Sequence, residues 1–195
     1  MACDNFLWFP DPATGGLLSE AATKPAGETT DKWFSKLNAL EVLSFSFGAS
    51  QAETSGSASM GAAAGKASFE EFSIEKFVDL ASVPLYNACT AGAHFPTLML
   101  AIRKAGGSPL LYLQFIFRMV FVVNIGWSGG GGEEAPKESI KFRYGALGVQ
   151  YTRQLPSGAA GTPIPQMWSV ITNKNTLEVP QITGSTPSFL PPVQT

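Results

Sequence analysis

The stretch from Leu110 to Ile125 constrains the fold more than any other part of the chain. Every odd position in it is apolar, whereas the even positions also hold Tyr112, Gln114, Arg118 and Asn124. Because successive side chains of a strand point to opposite faces, this pattern predicts a long central strand with one buried and one partly wet face. It does not predict a membrane span, since the run falls short of about 18 uninterrupted apolar residues and Arg118 would be costly in lipid.

The composition indicates a folded protein of moderate size. The chain has 195 residues, of which 45% are hydrophobic and 14% charged, which is enough for one domain with a sizeable core. A formal net charge of -2 gives no basis for expecting a nucleic-acid partner or an anionic membrane surface. The two cysteines, Cys3 and Cys89, suggest neither a disulfide framework nor a zinc site.

The N-terminus does not have the pattern of a secretory signal peptide. The first five residues contain no basic region, and the apolar run from Phe6 to Phe9 is too short for a hydrophobic core before Pro10. We therefore expect synthesis in a cytoplasm, and export, if it occurs, by a route that needs no cleaved leader.

Strand patterns dominate the rest of the chain and one helix pattern interrupts them. Ser82 followed by Pro84 predicts a helix start with a hydroxyl cap, and Gly92 predicts its end. Strands are predicted over residues 5–9, 39–47, 69–78, 94–104, 110–128, 138–155 and 164–172. In the sixth of these the apolar alternation shifts phase, and Gly145 or Gly148 is a candidate bulge.

The order of these elements predicts a mainly β fold. Strands joined largely by short turns favour an antiparallel, barrel-like sheet with one short flanking helix at about residues 82–91. We expect a single domain over residues 1–173, with extended loops at 10–38 and 48–68. Trp33 and Phe34 are expected to hold the first loop to the body, while the second is built almost wholly of small and polar residues. Residues 174–195 are expected to form an irregular, proline-rich tail.

The sequence contains no recognisable catalytic motif. His94 is the only histidine, and no motif places a nucleophile and an orienting carboxylate beside it. The paired carboxylates Glu70–Glu71 and Glu133–Glu134 are neighbours that would point to opposite faces of a strand. We therefore predict that the protein is not an enzyme and has no metal site and no cofactor.

Several local sequences resemble those of the Hcp family, the tube protein of bacterial type VI secretion. The serine-aromatic alternation that ends in Gly-x-Ser-Gln is similar to one of the family's strands, and the strand followed by a single glycine-ended helix is the most specific feature. The resemblance covers about residues 2–173. The segments that carry it are Asp4–Trp8, Leu43–Gln51, Phe72–Lys76, Asp79–Gly92 and Phe142–Thr152.

This resemblance implies a fold, an assembly and a set of partners. The family's fold is two sheets closed into an antiparallel barrel with one flanking helix, and six copies form a ring. Rings stack into an inner tube that a contractile sheath propels out of the cell. The implied partners are other copies of the chain, the sheath, spike and baseplate proteins, and small effectors in the lumen. Within the 48–68 loop, Ser50, Gln51, Glu53 and Thr54 are the candidate self-assembly residues.

Two other functions remain as alternatives at this point. A monomeric β-barrel of this length could bind an apolar small ligand among the phenylalanines of residues 110–125. A hydrolase could bring distant carboxylates together, and Glu70, Glu75 and Asp79 would be its candidates.

Overall fold

The computed structural model describes residues 3–18, 23–51, 67–104, 110–131, 135–182 and 186–192. These residues contain eleven strands, one α-helix and a short 3-10 helix. In chain order the elements are β1 (Cys3–Trp8), the 3-10 helix (Phe34–Leu37), β2 (Leu40–Glu41), β3 (Ser44–Ser46), β4 (Ala49–Gln51), β5 (Ala67–Phe69), β6 (Phe72–Phe77), α1 (Ser82–Ala91), β7 (His94–Lys104), β8 (Leu110–Ser128), β9 (Lys137–Arg143), β10 (Ala146–Gln154) and β11 (Ala160–Ser169).

Strand β8 is the centre of the fold, which confirms the prediction made from its alternating pattern. Strand β7 pairs with it from His94↔Phe121 to Lys104↔Leu110. On its other side β8 pairs with β10 over residues 113–118 and with β9 over residues 121–128. The two halves of this long strand therefore take different second neighbours within one sheet.

The strands follow one antiparallel path that curls into a barrel-like form. Its order is β2-β1-β7-β8-β9-β6-β3, with β10 and β11 extending from the first half of β8. The two end strands, β2 and β3, are separated only by Val42 and Leu43, whose N–H groups donate to the carbonyls of Asn5 and Glu75. The segment thus contacts both edges of the path. The prediction of one strand over 39–47 is wrong because the chain changes partner here, from β1 to β6.

The long strand predicted over 138–155 is interrupted at Gly145. A Cβ atom at Gly145 would lie 2.7 Å from the Ile171 side chain and 3.2 Å from Met119, which itself has a φ of 53°. The Gly145 N–H donates to the Arg118 carbonyl. Gly145 rather than Gly148 therefore marks the phase shift. Before Gly145 the chain pairs with β6 through β9, and after it the chain pairs with β11 through β10.

Two other strands differ from their predicted limits. The strand predicted over 69–78 is divided into β5 and β6, because β5 pairs with β4 in a separate two-stranded ribbon. The last strand begins at Ala160 instead of residue 164. It ends at Ser169, whose N–H donates to the Lys174 carbonyl as the chain turns.

Aromatic rings fill the interior of the barrel. Phe72 stacks on Phe117 at 4.5 Å and on Phe142 at 5.7 Å, and all three side chains are fully buried. Leu85 and Ala88 of α1 belong to the same cluster, so the helix covers one side of the barrel. Phe115 and Phe117, two of the phenylalanines that the ligand-binding alternative invoked, are therefore packed against other rings of the chain.

A second apolar cluster lies on the outer face of the sheet and is covered by irregular chain. Phe34 is fully buried and stacks on Phe6 at 4.0 Å, which confirms that the first loop is held to the body. Leu177 and Val179 of the tail are each 3% exposed and belong to this cluster. The described tail residues therefore pack against the chain's own sheet.

Candidate self-assembly surface

The β4–β5 ribbon holds the two described candidate residues of the 48–68 loop. Ser50 pairs with Ser68 and Gln51 with Ala67, and all of β4 is exposed. Glu53 and Thr54 lie outside the described residues. The structure thus places Ser50 and Gln51 on an exposed strand, and the assembly role of all four stays a prediction.

Aromatic contacts fix the base of this ribbon. Phe47 packs edge-on against Phe115 at 5.0 Å and against Phe72 at 5.6 Å. On the other side, Phe69 of β5 packs against Tyr144 at 6.4 Å. The exposed strand therefore begins from a rigid, apolar support, which limits the ordering cost when a partner binds it.

Tyr144 lies under the ribbon in a low-dielectric position. Burial of the phenol, together with the negative charge of Glu70, raises the pKa of Tyr144 to about 12. Among the described residues its hydroxyl has no hydrogen-bond partner. The phenol is therefore held in its neutral form at physiological pH.

A buried ionic cluster fixes the start of α1. Lys76 Nζ lies 2.6 Å from Asp79 Oδ1 and 2.7 Å from Glu138 Oε1, and the side chains of Lys76 and Glu138 are 0% exposed. The Ser82 hydroxyl donates to Glu138 and accepts from the Asp79 N–H. The cluster thus joins β6, α1 and β9.

The helix limits of 82–91 are confirmed, but the prediction that the Ser82 hydroxyl caps α1 is wrong. Ser82 is the first helical residue, and its hydroxyl takes part in the ionic cluster instead of capping the helix. Asp79 accepts a hydrogen bond from the Ala81 N–H. The Gly92 ending is confirmed by its left-handed φ of 64°. In the sequence, only the close spacing of Lys76, Asp79 and Ser82 indicates this cluster. That spacing gives no information about Glu138, which lies far along the chain.

Large apolar side chains are exposed beside this cluster. The Trp127 ring lies 5.4 Å from that of Tyr86, and its Nε1 donates to Glu138 Oε2 at 2.8 Å. Leu80 and Val83 are 68% and 74% exposed. This surface could not be predicted from the sequence, because Trp127 and Tyr86 are far apart in the chain and meet only through the packing of α1 on β8.

The three carboxylates considered for hydrolysis have separate surroundings. Glu75 accepts a hydrogen bond from Ser44, Asp79 is paired with Lys76, and Glu70 lies beside Gly48 and Tyr144. The neighbouring Glu71 pairs with Arg143 at 3.0 Å. Within the described residues, no group of three or more histidine, cysteine, aspartate or glutamate side chains could hold a metal ion.

His94 has an apolar setting. Its ring lies 5.4 Å from that of Phe121, and its backbone pairs with Thr14. Burial lowers the pKa of His94, so the neutral imidazole is favoured. Cys3 and Cys89 are free thiols. In the part of the chain that the structure describes, no helix has the length and apolar character to cross a membrane.

Comparisons with known proteins give one consistent result. The family model described as "Type VI secretion system effector, Hcp" matches residues 13–151. A curated relative, Protein hcp1 of Pseudomonas aeruginosa strain PAO1, is 34% identical over 110 residues, which cover 55% of this chain and 68% of the relative.

Solved structures extend the likeness to most of the chain. A structure of a type six secretion system protein is 34% identical, with a TM-score of 0.75, over 90% of this chain and all of the other. Hcp1 from Salmonella typhimurium is 27% identical, with a TM-score of 0.69, over the same shares.

Proposed function

The chain belongs to the Hcp family of the type VI secretion system, and we propose that six copies form a ring whose stacking builds the inner tube of this apparatus. Its function is structural: it is a tube protein of a contractile injection machine. The observation that carries this conclusion is the 34% identity to a type six secretion system protein over that structure's whole length. The antiparallel barrel with its single helix is the corresponding fold.

The exposed β4–β5 ribbon is the proposed contact between copies. Ser50 and Gln51 offer a hydroxyl and an amide on a strand whose base is held by Phe47. Such groups form hydrogen bonds with a neighbour without the desolvation cost of a buried charge. Glu53 and Thr54 belong to the same proposed contact surface.

The remaining partners follow from a tube that is driven outward. The proposed partners are the contractile sheath around the tube, the spike and baseplate at its ends, and small effectors in its lumen. Proteins of this family are secreted through the apparatus. For this chain we propose assembly in the cytoplasm and export through the apparatus.

Electron microscopy and native mass spectrometry of the purified protein test the assembly directly. We expect rings in projection and a mass of six copies of the 20.7 kDa chain. Compact monomers at every protein and salt concentration would contradict the proposal. A small molecule bound to monomers would instead support the alternative of a ligand-binding barrel.

The contribution of the ribbon is tested by substituting its two described candidates. Replacing both Ser50 and Gln51 by glutamate places two uncompensated negative charges in the proposed contact, and we expect loss of stacked rings. A matched double change on the exposed side of the tail, Thr186→Glu with Ser188→Glu, should leave assembly unchanged. Unaltered stacking in the ribbon variant would remove the ribbon from the proposed interface.

A further inference from the structure

A shallow groove with acidic margins lies where β2 and β3 approach the end of β6. Its floor is apolar: Leu43 and Phe77 are each 46% exposed, and Val78 is 39% exposed. The cavity measures about 200 Å³, and carboxylates of Glu28, Glu41 and Asp79 also line it. We call these six residues the acidic groove.

A second concave surface, with a basic side chain, lies on β10 and β11. Tyr151 and Ile164 are cross-strand neighbours that are 48% and 64% exposed. Arg153 and Leu155 line the same cavity of about 650 Å³. We call Tyr151, Arg153, Leu155 and Ile164 the basic concavity.

The backbone of β11 limits how anything can dock at the basic concavity. Within the described residues β11 pairs with β10 alone. The N–H of Ser169 points away from β10, toward Lys174, so residues 163 and 165 share that outward side. Both are prolines and have no N–H. A partner therefore cannot continue the sheet in regular register, and contact must be made through side chains.

We propose that the acidic groove of one copy binds the basic concavity of the next. This inference rests on the proposed function and names the contact surfaces within that assembly. Both surfaces expose large apolar side chains, and the exposed Glu28 and Glu41 of one complement the Arg153 guanidinium of the other, whereas Asp79 is already paired with Lys76. Burying the apolar groups supplies affinity, while the opposite charges fix the register and suppress wrong pairings.

The position of the two surfaces makes this contact heterologous. The groove is formed by β2, β3 and β6, whereas the concavity is formed by β10 and β11, and the two share no residue. In the sheet path β8, from which β10 and β11 extend, stands three strands away from both β2 and β3, so the two surfaces lie on different sides of the barrel. A neighbour that fills one surface therefore leaves the other open. Such head-to-tail contacts produce closed rings or stacked arrays instead of two-fold dimers.

A charge-exchange experiment tests the pairing. Arg153→Glu places a negative charge opposite the carboxylates, and Glu28→Lys places a positive charge opposite Arg153; both positions are exposed. We expect each single variant to weaken association about tenfold or more, measured by mass photometry across a dilution series. The double variant E28K/R153E restores the opposite-charge pair, and we expect its association to return to near that of the unaltered protein.

Matched controls separate this pairing from a general effect of charge. Lys141→Glu and Glu178→Lys make the same changes of charge at exposed positions outside both surfaces, and they should assemble normally. Circular dichroism checks that every variant is folded. Normal assembly of both single variants, or no recovery in the double variant, would overturn the proposed pairing while leaving the tube function intact. If the unaltered protein forms no assembly, the tube function itself fails.

Discussion

Lys76 and Glu138 form an ion pair of 2.7 Å in which neither side chain is exposed to solvent. Removing two charges from water is costly, and attraction alone rarely compensates for it. Here additional hydrogen bonds satisfy the pair: Glu138 accepts from Ser82 and Trp127, and Lys76 donates to the Phe77 carbonyl. The pair therefore connects the helix, the barrel and the exposed Trp127 in one polar unit.

Removing the cation of this pair should destabilise the fold strongly. Lys76→Met leaves the Glu138 carboxylate buried without its counter-ion, and we expect a loss of about 3–5 kcal/mol in the free energy of unfolding. Urea denaturation measures this loss. The double variant K76M/E138M also removes the buried negative charge, so it should be more stable than K76M. A loss below about 1 kcal/mol in K76M would show that the pair is not buried as described.

The end of α1 depends on the backbone conformation of Gly92. Its φ is 64°, and a Cβ atom there would meet nothing within 4 Å, so the cost of a side chain is conformational alone. We expect Gly92→Ala to lower the free energy of unfolding by about 1–2 kcal/mol. Gly130→Ala is the matched control: it has equal space and no left-handed φ, and it should be nearly neutral. Equal effects of the two changes would exclude this explanation.

Local patterns predicted the elements, but not the contacts between distant parts of the chain. Alternation identified β8, and the Pro84 to Gly92 spacing identified α1, because both signals lie within one element. The break at Gly145 was anticipated as a phase shift, yet its cause is the close approach of Ile171 and Met119. The division of residues 39–47 into β2 and β3 could not be predicted, since it depends on which strands lie on either side.

The candidate site shows the same limit. Ser50 and Gln51 were identified by resemblance, and the structure places them on an exposed ribbon. The acidic groove and the basic concavity were not predicted, because each collects residues from separate segments. Their members look like ordinary surface residues in the sequence, and only the fold brings the charges beside the apolar groups.

The Tyr144 phenol should make stability depend on pH in the alkaline range. Its folded pKa of about 12 exceeds the ordinary value of 10.0, so above pH 10 the unfolded chain loses the phenol proton more readily than the folded chain does, and the free energy of unfolding falls as the pH rises from 10 toward 12. Unfolding experiments at pH 9 and pH 11.5 should show a smaller decline for Tyr144→Phe than for the unaltered chain.

The same substitution gives a second result at neutral pH. Because the buried Tyr144 hydroxyl has no hydrogen-bond partner among the described residues, its removal should not destabilise the protein. Thermal unfolding at pH 7 should therefore give an equal or higher Tm for Tyr144→Phe. A clear decrease would mean that the hydroxyl is hydrogen-bonded.

Gln114 should determine how tightly the tail packs on the sheet. This side chain is 2% exposed, its Nε2 donates to the Leu190 carbonyl at 3.0 Å, and its Oε1 accepts from the Leu190 N–H at 3.0 Å. Gln114→Ala removes both bonds, and we expect a loss of about 1–3 kcal/mol in the free energy of unfolding. Hydrogen exchange should become faster at residues 186–192 before it changes in β7.

Gln166→Ala provides the control, because it removes an equal amide from an exposed position on β11. It should leave both the exchange rates of the tail and the free energy of unfolding nearly unchanged. If Gln114→Ala altered exchange equally in the tail and in the core of β7, the amide would support the sheet itself and not the docking of residues 186–192. Faster exchange confined to the tail would identify Gln114 as the residue that holds it.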